Sequence, residues 1–178
     1  MILDAFLRFD DAVSLAIAAG TQPSTNTIDF GITSGIPSSA NGGGARDMGI
    51  GDDPALKFVV QVAQAFDSGG AGTLQISLQG AVDDGTGAPA AFSTWWSSPA
   101  YALATLSAGS RLFDMDMPRP PDGIAVPRFV RLLYTVAGAT MTAGQVSSYL
   151  VLDRDDQMYN STDNATLGGY QAGINVAN

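Results

Sequence analysis

The chain has no histidine, no cysteine and no glutamate, and Lys57 is its only lysine. Each absence removes a class of chemistry. Without histidine the commonest general base and transition-metal ligand is missing. Without cysteine there are no disulfides, thiolate metal sites or thiol nucleophiles. All 17 acidic residues are aspartate. Glutamate and lysine are good helix formers and aspartate a poorer one, so a chain this short of both has little with which to cover exposed helices. Long apolar runs of membrane-spanning length are absent too. The opening "MILDAFLRFDDAVSLAIAAG" is broken by Asp4, Arg8, Asp10 and Asp11 and does not read as a signal peptide.

What remains is apolar and turn-rich. Hydrophobic residues make up 46% of the 178 residues and charged residues 14%, with 21 glycines and 9 prolines. That suits one globular, all-β domain whose turns are filled by Asp, Gly, Ser and Asn. The formal charge is −9, and seven scattered arginines make no patch, so nucleic acid is not an expected partner. Neither is a membrane.

Period-two alternation is the strongest local signal. "TLQISLQ" places Leu74, Ile76 and Leu78 on one face, and "LKFVVQV" places Leu56, Phe58, Val60 and Val62 on one face. The Gly-rich link between these runs predicts an antiparallel hairpin. "VSLAI", "NTIDFG" and "RLFDMDMP" are further candidate strands. "RFVRLLYTVAGATMTAGQVSSYLVLD", Arg128 to Asp153, reads as a second hairpin, with Val130, Leu132, Tyr134 and Val136 facing inward. "SSPAYALATLSAG" fits either a helical turn or a strand. Eight to ten short strands separated by turns predict a β-sandwich, with the double-sheet jelly roll a natural choice. The domain is placed at 1–155, with a long Gly/Ser loop (33–45) before "RDMGIG", and residues 156–178 form an extended C-terminal arm.

No catalytic set emerges. "DDGTG" at 83–87 lacks the order and the second copy of an aspartic-protease pair and reads as a turn. Asp52–Asp53 and the cluster Asp153, Asp155, Asp156 lack the alternating spacing of a calcium loop and read as solvated acidic turns. No metal or other cofactor is expected. Trp95 and Trp96 are adjacent, and alternation would turn one to the core and one outward. An outward tryptophan suits a sugar ring or a protein interface. The candidate interface residues are Trp95, Trp96, Tyr149, Tyr159 and Tyr170.

Four segments, "MILDAFLRFDDA", "STNTIDFG", "ARDMGIGDDP" and "RFVRLLYTVAGATMTAGQVSSYLVLD", occur in that order. Together they resemble the capsid cement (head decoration) proteins of tailed bacteriophages, the small jelly-roll type of short-tailed phages, over residues 1–153. The chain departs from that pattern in a longer loop 33–45 and a tail richer in Asn and Gly after Asp155. The resemblance implies a structural protein without catalysis, self-associated as a homodimer or homotrimer. It also implies assembly in the host cytoplasm onto the capsid exterior of the virion, bridging major capsid proteins. A carbohydrate-binding jelly-roll module is the alternative.

Overall fold

A computed structural model describes residues 7–30, 56–118 and 126–151. These form ten strands: β1 (Arg8–Ser14), β2 (Gly20–Pro23), β3 (Ile28–Asp29), β4 (Lys57–Ser68), β5 (Thr73–Ala81), β6 (Ser93–Ser97), β7 (Tyr101–Ala102), β8 (Arg111–Asp116), β9 (Phe129–Ala137) and β10 (Met141–Val151). The ambiguous segment at 97–109 is both things in miniature: β7 followed by a 3-10 turn, Leu103–Thr105. No α-helix occurs among the described residues. Residues 31–55 and 152–178, which carry the Gly/Ser loop, the C-terminal arm, Tyr159, Tyr170 and the aspartate clusters, lie outside the described residues.

One sheet has the order β1-β10-β4-β8; the other has β2-β9-β5-β6, with β3 also on β9 and β7 also on β5. All pairings are antiparallel. Counting β2 with β3 and β6 with β7 as broken strands, every sequential link except that from β5 to β6 crosses from one sheet to the other. That is the double-sheet jelly roll.

The inward faces follow the sequence pattern closely. Across β5 and β9, Leu78 pairs with Leu132, Ile76 with Tyr134 and Leu74 with Val136, and all six are essentially inaccessible. On the facing sheet, Phe58 pairs with Leu150 and Val62 with Val146, again buried. Phe9 and Phe58 meet edge to face at 5.9 Å, and Phe58 and Phe113 lie 4.9 Å apart. Such aromatic contacts contribute beyond the area they bury.

Both expected hairpins are corrected. β4 and β5 lie in different sheets, as do β9 and β10, and neither pair shares a ladder. A hairpin would put both apolar faces on one side and leave them needing a third element. Placed in opposite sheets, the two faces cover each other. Sheets stack about 10 Å apart, and three or four extended residues span about 10–13 Å, so the links 69–72 and 138–140 can cross the sandwich. The two crossings pack together. Gly138 has φ +83°, and a Cβ there would lie 2.2 Å from the Ala71 carbonyl oxygen; the Ser68 hydroxyl donates to the Thr140 carbonyl at 2.9 Å.

Candidate functional site

Of the register shifts in the ladders, one in β1 and one in β6 bring inward side chains that alternation would turn out. In the β1–β10 ladder, Arg8 pairs with Tyr149 and Asp10 with Ser148, so two steps on β1 face one on β10. This bulge turns both Phe9 and Asp10 inward, each with no accessible surface. The Asp10 carboxylate accepts from the Tyr134 hydroxyl at 2.6 Å, the Ser148 hydroxyl at 3.3 Å and the Thr25 amide at 2.8 Å. Tyr134 stands on β9 and Asp10 and Ser148 on the opposite sheet, so the network ties the two layers together. Burial, with the Asp10 charge beside it, pushes the Tyr134 hydroxyl well above its ordinary pKa. The group is saturated by its own donors, which marks a structural tie rather than a reactive carboxylate.

The second bulge sits in β6. Leu78 pairs with Trp96, but the next residue, Gln79, pairs with Thr94. Trp95 is the extra residue. The expectation of one tryptophan inward and one outward is therefore corrected: both are half-buried and both pack against the core. Trp96 meets Phe113 edge to face at 5.2 Å and Phe58 at 6.2 Å. Trp95 lies over Gly80, where an added Cβ would come within 2.1 Å of its Cζ3 and 2.7 Å of the Pro127 Cβ. Only a residue without a side chain leaves room for the indole. The Trp95 indole nitrogen is shielded from water and has no acceptor, which costs about 1–3 kcal/mol for a buried donor left unpaired.

Trp95 also forms one wall of a half-open cavity of about 110 Å³, shared with Gly80, Ala81, Val82, Ala91 and Pro127. Beside it, "DDGTG" is the turn its residues suggest. Asp83 accepts from the amides of Gly85 (2.8 Å) and Gly87 (2.9 Å), and Asp84 from the Thr86 amide (2.8 Å) and hydroxyl (2.7 Å). These amides, the Gly87 amide foremost, lower the Asp83 pKa; the Thr86 hydroxyl does most for Asp84. Arg128 fastens the turn to the sheet. Its guanidinium grips Asp29 through two bonds of 2.8 and 2.9 Å and pairs with Asp83 as well.

Tyr149, the remaining described interface candidate, is 7% exposed and clusters with Val59 and Val151 on the outer face of its sheet. The structure does not bring it together with the tryptophans. The sequence reading missed the Asp10–Tyr134–Ser148 network, because only a bulge makes an aspartate next to a phenylalanine an interior residue. Among the described residues no three acidic side chains converge as a metal site would require, and no helix is long and apolar enough to cross a membrane.

The fold and these contacts define a jelly-roll protein whose buried carboxylate is tied up by its own donors and whose cavity at Trp95 is mostly apolar. The chain belongs to the Bbp16 family, which matches residues 12–150 and so takes in nearly the whole sandwich. Comparison with curated proteins gave no match.

Proposed function

We propose that the protein is a capsid cement protein. It attaches to the outer surface of a phage head and bridges neighbouring major capsid proteins, so that the shell resists the pressure of its packaged DNA. The observation that carries this reading is the Bbp16 match over residues 12–150. It coincides with the span that resembles cement proteins, and the family name is itself suggestive of a phage-related protein. The physical character of the chain supports it. A net charge of −9 disfavours adventitious binding to DNA. A clamp gains from several modest contacts engaged at once, each well below the ~1,600 Å² of a standard interface. The carbohydrate alternative was motivated by an outward tryptophan, and with both tryptophans packed on the core no observation favours it.

The test is a comparison of heads assembled with and without the protein. Heads carrying it retain DNA to a higher temperature, and the purified protein, a small oligomer, co-sediments with heads lacking it. Identical heat-release curves, together with no co-sedimentation, would falsify the reading.

A further inference from the structure

Each sheet of a two-layer sandwich has an open outer face, yet that of the β1-β10-β4-β8 sheet is shielded at one end. Arg8 pairs with Tyr149, Tyr149 with Val59 and Val59 with Asp114, so these four side chains form one row across that face. Val59 is 1% exposed, and Val151, one row on, 3%. The Arg8 Nε and the Asp114 Oδ1, at the two edges of the row, are shielded from water as well. Farther along β4 the shielding stops: Gln61 is half-buried and Ala63 exposed. By contrast Leu133, flanked by Pro23 and Ser77 on the outer face of the other sheet, keeps part of its surface accessible. Flanking strands alone do not seal an aliphatic side chain.

The shielding is present in a single copy of the chain, so its cover is a further segment of the same chain. The described residues do not supply it: Val59, Tyr149 and Val151 form a cluster to themselves, apart from the core. What remains are the stretches that lead out of the sandwich. Residues 31–55 join β3 to β4 and residues 119–125 join β8 to β9; each is held at both ends and connects one sheet to the other. Reversing direction takes a four-residue turn, which leaves too little of residues 1–6 to cross a row about 14 Å wide, three strand spacings. Residues 152–178 continue directly from Val151, itself in the patch, and among the described residues they are anchored only there. They carry the large apolar side chains Met158, Tyr159, Leu167 and Tyr170.

We infer that this end of the outer face is the docking site of the chain's own residues 152–178, which turn back after Val151 and lay apolar side chains over Val59, Tyr149 and Val151 as a third layer. The apolar surface removed from water drives the docking. The inference does not depend on the cement reading. It draws the segment that carries Tyr159 and Tyr170 onto the protein itself, where the sequence suggested an interface with a partner.

The chain has no cysteine, so Val59→Cys in the full chain carries the only thiol, and its rate of reaction with a chromogenic aromatic disulfide reads the cover. A second full chain adds Met158→Ser, Tyr159→Ser, Leu167→Ser and Tyr170→Ser. Ile76→Cys, on the inner face, is the control for folding in each background. The thiol at position 59 reacts slowly in the first protein and roughly ten- to hundredfold faster in the second, the protection that burying one aliphatic side chain confers, while the thiol at position 76 stays protected in both. If the serine background unfolds and exposes position 76, a cross-link decides instead: Val59→Cys is combined with Tyr159→Cys or with Tyr170→Cys in the full chain and bridged with a short bismaleimide. Arg154 is the last basic residue, so trypsin frees residues 155–178 under denaturing conditions unless the bridge retains them, and retention is expected. A fast thiol in the first protein, a thiol as slow with the serines as without them, or release of the fragment from both pairs overturns the proposal. So does exposure of position 59 on serine exchange at Ile32, Ile36, Met48 and Ile50 in place of the C-terminal four, which would put residues 31–55 over the patch.

Discussion

At the scale of single residues, the most consequential side chains are polar ones in an apolar interior. Tyr134 donates to a carboxylate with no accessible surface, and an unmet buried acceptor costs more than a hydrogen bond returns. Tyr134→Phe is expected to lower stability by about 1–3 kcal/mol in urea unfolding; an unchanged midpoint would show that Asp10 finds a substitute donor. The same hydroxyl sets the alkaline limit. Its folded pKa is raised above the ordinary 10.0, so its contribution is complete below pH 10 and is lost as the pH climbs beyond it. Tyr134→Phe removes that part of the alkaline decline. Arg128 gives the acid counterpart. The Gly87 and Gly85 amides first, and Arg128 after them, hold the Asp83 pKa below its ordinary 3.8, so the carboxylate's contribution, the Arg128 pair included, is present above that pH and fades as the pH falls through the depressed value. Wild type and Arg128→Met should therefore differ in melting temperature at neutral pH and converge in strong acid; a gap independent of pH would show the arginine acting through packing alone.

At the scale of elements, alternation made the inward faces of β4, β5 and β9 legible residue by residue, because a period of two reports directly on which side is buried. It could not report which sheet a strand joins. Val60 and Ile76 each read as part of a strand's apolar face, and both are buried, but in opposite layers. The turn glycines misled for a related reason: Gly138 looks like a hairpin residue, and its positive φ instead serves a crossing pressed against Ala71. The candidate site was less legible still. A bulge breaks the very periodicity used to find strands, so Phe9–Asp10 and Trp95–Trp96 were bound to be misjudged. Gly80 is the local signal that was available, a glycine inside an apolar strand that marks close approach by another group. Gly80→Val should displace Trp95 and cost about 1–3 kcal/mol as overpacking, seen as a changed tryptophan emission spectrum with a lower urea midpoint. An unaltered spectrum would mean that the indole does not rest there.

At the scale of the whole molecule, the two layers share one continuous core and are further joined by the Asp10–Tyr134–Ser148 bonds. Leu132 sits at its centre with no accessible surface. Leu132→Asp would put an unpaired charge there and should prevent folding, leaving insoluble protein; a soluble, sharply melting variant would contradict the burial. The repeated crossing of the chain between layers, broken only at β5–β6, also governs how the chain gets there. A polypeptide that built hairpins in sequence could consolidate them one at a time. Here β9 has to find β5 across more than forty intervening residues, and β10 has to find β1 from the other end of the domain, before either makes a ladder. Ring-closure entropy comes due early and in large amounts, so folding should be slow, in the millisecond-to-second range typical of non-local β topologies, and the half-made chain is exposed meanwhile. Synthesis at low temperature or at a low rate should then raise the soluble yield more than any single stabilising substitution.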